Sequence, residues 1–372
     1  MAHIPVVCDR VHLKRWFAVH RRPFPWRENR SPYAVWVSEV MLQQTRANVV
    51  VPYFTRWMKT FPTIRSLAEA SSEEVLKAWE GLGYYSRARR LHEGAKYVLH
   101  AFRGNLPEDP LLLQKIKGLG PYTIGAIRSF AFRKRALAVD GNILRLFSRL
   151  FAIEGAITER ETRRRIESRV EAFLPESGAW IVMEGLIELG ALVCKKRAEC
   201  VLCPLKKSCL AFRLGKVESF PFPKKRTGVT LLHRLVCVLF HGEYILLRKG
   251  KQGRVMADLW EFPYVESEGR APDIETWRKR VEGEFSLRLS YERSLPVTVH
   301  TFTRYKAHLY PHLWKVKGGF DGTLPSVKPD CEWITEREAM NKPFSSGHLR
   351  IFRHILGTRL ALTESPGESI RR

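Results

Sequence analysis

The chain has 372 residues, of which 45% are apolar and 27% charged, a mixture that excludes a globally disordered protein and sets an expectation of two or three domains. Sixty-three Lys and Arg stand against 38 Asp and Glu, a formal net charge of +25, which excludes an acidic protein and points to a polyanionic partner, nucleic acid before any other. No apolar run approaches the roughly 18 residues that span a bilayer, and none follows the N-terminal charges, so neither a membrane segment nor a signal peptide is expected.

Residues 9–214 are predicted to be mostly helical. Ser31 followed by Pro32 has the form of an N-cap with Pro at the first helical position, opening a helix over Tyr33–Thr45. Ser71-Ser72-Glu73-Glu74 has the form of a capping box ahead of Val75–Trp79. Apolar residues recur at helical spacing in 64–79, 88–102 and 162–193, and Gly-Pro punctuation falls at 81–83, 104–107 and 118–121. Residues 216–228 form a basic, Pro-containing linker. After it the period becomes strand-like, with strands expected at 235–240, 244–248, 296–302 and 308–316 and a helix at 273–285. The expected division is a helical domain over 1–215, the linker over 216–228, an α+β domain over 229–360 and a tail over 361–372.

Ile116-Lys117-Gly118-Leu119-Gly120-Pro121-Tyr122-Thr123 places a Gly-x-Gly turn between two helices. Glycines let phosphate approach bare backbone N–H groups, and the following helix N-terminus adds positive potential. Such a hairpin grips a DNA backbone without reading its bases; a plain helix–helix turn has the same residues. Downstream, an apolar run delivers Asp140 to Gly141-Asn142 and a helix over 142–151. Asp140 caps that helix, or it offers a carboxylate to a developing cation. Glu39 lies inside an apolar helix beside Trp36, Val40 and Leu42, where desolvation favours its protonated form, or where it is a paired structural residue. One protonatable and one ionised carboxylate are what glycosidic bond cleavage requires.

The segments 36–45 (with Ser38-Glu39-Val40-Met41-Leu42-Gln43-Gln44), 81–89, the hairpin, Val139-Asp140-Gly141-Asn142 and the Cys cluster closely resemble the adenine DNA glycosylase family of the endonuclease III, helix-hairpin-helix superfamily. The resemblance runs over about residues 9–225 and continues more weakly to about 355. It implies an all-α helix-hairpin-helix glycosylase domain with an iron–sulfur loop, followed by an α+β Nudix-like domain. The implied activity is removal of adenine mispaired with 8-oxoguanine or guanine in double-stranded DNA. A monomer is expected, and, with no membrane segment or signal peptide, a cytoplasmic one, nucleoid-associated if bacterial.

Matched residue by residue, the resemblance makes Glu39 the acid that protonates adenine N7. Asp140 stabilises the oxocarbenium ion or a transient glycosyl adduct, Asn142 supports it and Tyr122 lies near the sugar. Arg27 and Glu184 line the adenine pocket, Gln44 and Tyr84 enter the duplex, Leu82 lies on the same substrate-binding loop as Tyr84, and Gly118 and Gly120 form the hairpin. Bifunctional relatives carry Lys in the hairpin position of Tyr122; a phenol forms no Schiff base, so a monofunctional enzyme is expected.

Cys194, Cys200, Cys203 and Cys209 fall within 16 residues, a metal-site pattern in a cytoplasmic chain. Four thiolates suit zinc or an iron–sulfur cluster. The resemblance implies a [4Fe–4S] cluster, although five residues separate the first two Cys where the family usually has six. Residues 195–226 hold ten Lys or Arg against two acids, +8 in all, which suits phosphate contacts or a solvated face.

In the second domain Leu259-Trp260-Glu261-Phe262-Pro263 resembles the family's Nudix-like domain. Gly269 and Glu275 fit the first half of a Nudix metal box, but Gly283-Glu284 and Leu287-Arg288 stand where its acids belong, so no pyrophosphohydrolase activity is expected. The family's lesion-reading Phe-Ser-His aligns with Phe302-Thr303-Arg304. The competing readings are an endonuclease III-like glycosylase/lyase for oxidised pyrimidines and a non-catalytic iron–sulfur DNA-binding protein.

Overall fold

A computed structural model describes residues 6–222, 228–251, 256–267, 273–302, 304–317 and 323–363. They pack as two units, one of residues 1–70 and 86–226, the other of 71–85 and 227–372. The segment 71–85 interrupts the helical region in sequence and packs with the second unit.

The first unit is helical: α1 Val6–His20, α2 Pro25–Glu28, α3 Pro32–Leu42, α4 Ala47–Thr60, α5 Ile64–Glu69, then α7 Ser86–Phe102, α8 Pro110–Leu113, α9 Pro121–Ala126, α10 Gly141–Leu150, α11 Arg160–Phe173, α12 Ala179–Leu192 and α13 Leu210–Arg213. Ser31 Oγ accepts the Ala34 N–H at 3.2 Å and starts α3. Every residue from Tyr33 to Met41 is buried, so α3 is enclosed all round, as expected of a helix apolar on every side. Glu39 is therefore carried into the middle of the unit.

The apolar stretch 162–193 forms two helices rather than one, because Pro175 and the positive φ of Gly178 (+69°) end α11 and reset the chain before α12. Gly190 on α12 is required by close packing: a Cβ there would lie 2.7 Å from Asn142 Cβ and 2.9 Å from its carbonyl oxygen. That contact sets α12 against the start of α10.

The second unit contains α6 Ser72–Ala78, β1 Thr230–His241, β2 Tyr244–Lys249, β3 Trp260–Glu261, β4 Tyr264–Ser267, α14 Ile274–Phe285, β5 Leu289–Ser294, β6 Thr298–Phe302, β7 Tyr305–Val316, β8 Cys331–Thr335, α15 Glu336–Asn341 and α16 Ser346–Thr363. The strands form one mixed sheet with the path β3-β2-β1-β7-β5; β4 pairs with β1, β6 with β7 and β8 with β2. β1 and β7 run parallel from Thr230↔Tyr305 to Phe240↔Lys315.

Alternation along β1 feeds two cores on opposite faces. Val236, Val238 and Phe240 join Trp260, Phe262, Phe344 and Phe352 on one side. Leu235, Cys237 and Leu239 join Trp277, Val281 and Phe285 of α14 on the other. Burial holds the Cys237 thiol up at about 12, so it is an inert apolar group there. The acids of α14 have local partners: Glu275 pairs with Arg278, Glu282 accepts the Leu289 N–H at 2.7 Å, and Glu284 pairs with Lys328. Gly269 lies outside the described residues.

No helix among the described residues is long and apolar enough to cross a membrane.

Candidate functional site

A cavity of about 1630 Å³ opens in the first unit. Among its lining residues are Arg27, Glu39, Gln44, Gly118, Gly120, Tyr122, Asp140, Asn142 and Glu184. Nine of the site residues expected from sequence therefore meet on one surface, delivered by α2, α3, the hairpin, α9, α10 and α12.

At its centre the Tyr122 hydroxyl donates to Glu39 Oε2 at 2.6 Å. Glu39 is 6% exposed. Burial lifts its pKa to about 7 against the opposing hydrogen bond from Tyr122; the charges of Asp140 and Glu184 add to the rise and Arg27 reduces it. A carboxyl with that pKa is half protonated near neutrality, the condition that suits a general acid. Burial and the neighbouring Glu39 and Asp140 push the Tyr122 phenol far above its ordinary value, so it stays a hydrogen-bond donor.

Asp140 is the N-cap of α10, its Oδ1 accepting the Ile143 N–H at 2.8 Å. The capping reading is thus correct, but the same residue also faces the cavity. Its Oδ2 accepts from Asn142 Nδ2 at 2.7 Å. Burial raises its pKa, opposed by the Ile143 N–H, Asn142 and the Arg145 charge.

Behind Glu39 lies a buried ion network. Arg27 Nε donates to Glu184 Oε1 and its Nη2 to Glu188 Oε2, both at 2.8 Å. Arg22 Nε donates to Glu188 Oε1 at 2.6 Å, and Arg30 Nη2 to Glu184 Oε2 at 2.9 Å. Burial alone would raise Glu188, but the bonds from Arg22 and Arg27 hold it below the usual carboxylate range. Removing one member of such a network strands a buried charge, at about 3–5 kcal/mol. Glu188, Arg22 and Arg30 were not singled out from sequence. The available signal was two acids four residues apart in an otherwise apolar helix, set against the basic run 21–30.

The hairpin follows from backbone geometry. Gly118 has φ +91°, and a Cβ there would lie 2.8 Å from Arg90 Cβ. Gly120 is the extended N-cap of α9, with Pro121 at the first helical position. Gln44 follows Gln43, the C-cap of α3, so the helix stops short of Thr45; Gln44 has φ +57° and is exposed.

The four cysteines line a second, smaller space in the first unit, together with Leu146, Val193, Leu205 and Phe212. Cys194 is buried and the other three are half-buried. Burial and mutual charge raise the Cys200, Cys203 and Cys209 thiols, Cys203 to about 12. Arg149 is the fixed post of this loop. Its guanidinium donates to Cys194 Sγ at 3.5 Å and to the carbonyls of Lys195, Lys196, Val217 and Phe220 at 2.6–3.1 Å. Four soft donors in an apolar pocket beside a cation suit an anionic thiolate-bound group. Among the described residues no three His, Cys, Asp or Glu side chains are gathered as they would be on one ion.

Leu82 and Tyr84 belong to the second unit and do not line the cavity. Leu82 is buried, whereas Tyr84 is exposed with φ +49°. Phe302 ends β6 and packs partly buried against the sheet core. Thr303 lies outside the described residues. Arg304 is exposed, its Nη2 donating to Tyr305 Oη at 3.2 Å.

Comparison with known proteins bears on both units. Residues 37–172 match the HhH-GPD superfamily base excision DNA repair protein family, and residues 235–354 match the NUDIX domain family. The adenine DNA glycosylase of Mus musculus is 31% identical over 95% of this chain and 80% of its own length. That of Homo sapiens is 32% identical over 95% of this chain and 74% of its own length. That of Arabidopsis thaliana is 34% identical over 83% of this chain, which spans 57% of that relative's length. Among solved structures, a thermostable thymine-DNA glycosylase matches with a TM-score of 0.52 at 24% identity, over 56% of this chain and 97% of its own. The endonuclease III of a trapped DNA covalent intermediate matches with a TM-score of 0.50 at 21% identity, over 58% of this chain and 99% of its own. These structural likenesses bear on the fold of the helical unit.

Proposed function

The chain belongs to the adenine DNA glycosylase family, and on that premise we propose that it hydrolyses the N-glycosidic bond of adenine mispaired with 8-oxoguanine or guanine, leaving an abasic site. The observation that carries the reading is the convergence of Glu39, Tyr122 and Asp140 on one cavity of the first unit.

A base inside a duplex is out of reach of a carboxyl group, so the adenosine is extruded into the cavity. Protonated Glu39 donates its proton to adenine N7, and the base departs neutral as the C1′–N9 bond breaks. The Asp140 carboxylate faces the oxocarbenium ion left at C1′ and stabilises its charge. Asn142 holds that carboxylate in place. Glu39, now ionised, accepts a proton from the water that adds to C1′, which restores the acid. Arg27 and Glu184 bind the base edge. Tyr122 supplies a donor to Glu39 and no amine, so no Schiff base forms and the strand is not cut.

The hairpin with Gly118 and Gly120 and the basic loop after Cys194 hold phosphates, which suits the chain's +25 charge. Gln44 and Tyr84, both exposed, fill the space the extruded base vacates, whereas Leu82 is buried and packs beneath its loop. Phe302 and Thr303 of the second unit read the lesion opposite. Cys194, Cys200, Cys203 and Cys209 would hold a [4Fe–4S] cluster, with the basic loop tied beside it by Arg149. Iron and acid-labile sulfide on the purified protein, against one zinc per chain, decides between cluster and ion. The enzyme acts as a monomer.

The test is release of free adenine from a duplex containing A opposite 8-oxoguanine, G or T, with borohydride added in parallel. Adenine release in that order of preference and no trapped adduct support the reading. A trapped protein–DNA adduct, or release of an oxidised pyrimidine instead, overturns it.

A further inference from the structure

We propose that the second unit positions the loop 79–85 for entry into the duplex, with Glu73, Glu80 and Tyr85 as its positioning residues. This rests on the reading of Tyr84 as a duplex-entering residue.

The loop needs to be held. Gly81, Gly83 and Tyr84 all have positive φ, at +99°, +71° and +49°. For a tyrosine that conformation is unfavourable, and it persists only where the surroundings fix it. Tyr84 is 46% exposed, so its side chain contributes little burial to that fixing.

Lys342, Phe344 and Trp260 supply fixing bonds to this segment. The Tyr85 hydroxyl accepts the Gly81 N–H at 3.3 Å and donates to the Phe344 carbonyl at 3.0 Å, so one side chain closes the loop and ties it down. Glu80 Oε1 accepts the Phe344 N–H at 2.8 Å, which completes a two-way grip on the backbone of one residue. Lys77 Nζ donates to the Lys342 carbonyl at 2.9 Å and pairs with Glu80 Oε2 at 3.2 Å. Glu73 accepts from Trp260 Nε1 at 3.0 Å and pairs with Lys342 at 3.2 Å. Phe344 itself is fully buried in the sheet core, stacked on Phe352 at 5.1 Å. The grip is therefore anchored in the apolar core of the unit. Inside the loop, Trp79 Nε1 donates to the Gly83 carbonyl at 3.1 Å.

An inserted aromatic side chain acts only if its backbone is rigid at the moment of insertion. A unit whose sheet core holds the loop backbone supplies that rigidity without touching the base removed. The second unit then has two roles, one at the lesion and one at the insertion loop.

The experiment uses the full chain. Tyr85→Phe, Glu80→Ala and Glu80→Gln are compared with wild type and Tyr84→Ala. Amide hydrogen exchange is followed at 81–85, and fluorescence of 2-aminopurine placed at the adenine position reports base extrusion. Tyr85→Phe and Glu80→Ala are expected to exchange these amides at least tenfold faster. They are also expected to lose most of the extrusion signal at saturating protein, with duplex affinity within about threefold. Glu80→Gln keeps an oxygen acceptor for the Phe344 N–H and is expected to restore both readouts. Wild-type exchange in Tyr85→Phe and Glu80→Ala overturns the proposal, as does faster exchange with intact extrusion when Tyr84→Ala has lost it. Intact extrusion in Tyr84→Ala together with faster exchange in the other two overturns instead the reading of Tyr84 as a duplex-entering residue.

Discussion

Asp140 and Cys194 are joined by three hydrogen bonds in series. Asn142 Nδ2 donates to Asp140 Oδ2 at 2.7 Å, Arg145 Nη2 to Asn142 Oδ1 at 2.8 Å, and Arg145 Nε to the Cys194 carbonyl at 2.7 Å. Arg145 Nη2 also donates to the Gly190 carbonyl at 2.7 Å, at the close approach of α12 to α10. The cysteine loop and the carboxylate of the cavity therefore share one cation. Arg145→Met leaves Asn142 free to rotate away from Asp140. Single-turnover adenine excision is expected to fall tenfold or more while mismatch affinity changes little. Excision at the wild-type rate shows that Arg145 only braces the loop.

Asp140→Asn separates capping from chemistry. Asn caps a helix about as well as Asp, so the thermal midpoint is expected within a few degrees of wild type. The charge facing C1′ is gone, and excision is expected to fall by at least about 10²-fold. Retained excision in a stable Asp140→Asn protein assigns the residue to the cap alone.

Much of this was legible before the fold. Glu39 was found because an acid in an apolar helix is rare, and Asp140 because an apolar run delivered it to a glycine. The turn chemistry at Gly118 and Gly120 marked the hairpin, and period-two alternation marked β1, β2, β6 and β7. What escaped was long-range pairing. Arg22 and Glu188 are 166 residues apart, and no local pattern announces their bond. Strands β3, β4, β5 and β8 are short or follow irregular segments, so alternation had little length in which to show. The packing of 71–85 with the second unit was invisible for a different reason: its capping box and helical period are purely local signals, while its partners lie beyond residue 259.

Tyr122→Phe removes the donor to Glu39. That hydrogen bond favours the ionised carboxylate, so its loss raises the Glu39 pKa further above about 7. The alkaline limb of the single-turnover rate profile is then expected to move to higher pH. An unmoved limb shows that the titrating group is not Glu39.

The raised pKa of Glu39 also makes stability depend on pH. Its folded value is about 7 against an ordinary 4.5, so the unfolded chain releases this proton first as pH rises. The contribution is whole below about 4.5 and is lost by about 7, amounting to roughly 3 kcal/mol. Glu39→Gln has no such proton. The difference in thermal midpoint between wild type and Glu39→Gln is expected to shift in favour of the variant across that window and then to level off. A difference that stays constant from pH 5 to pH 8 would show that Glu39 titrates normally.

The most direct measurement is single-turnover excision of adenine opposite 8-oxoguanine by wild type and Glu39→Gln, with duplex affinity measured alongside. Gln fills the same space and donates no proton to N7. The expected result is near-wild-type binding with excision reduced by about 10²–10⁴-fold or more. A rate within about tenfold of wild type contradicts the assignment of Glu39 as the acid, and with it the chemistry assigned to this cavity.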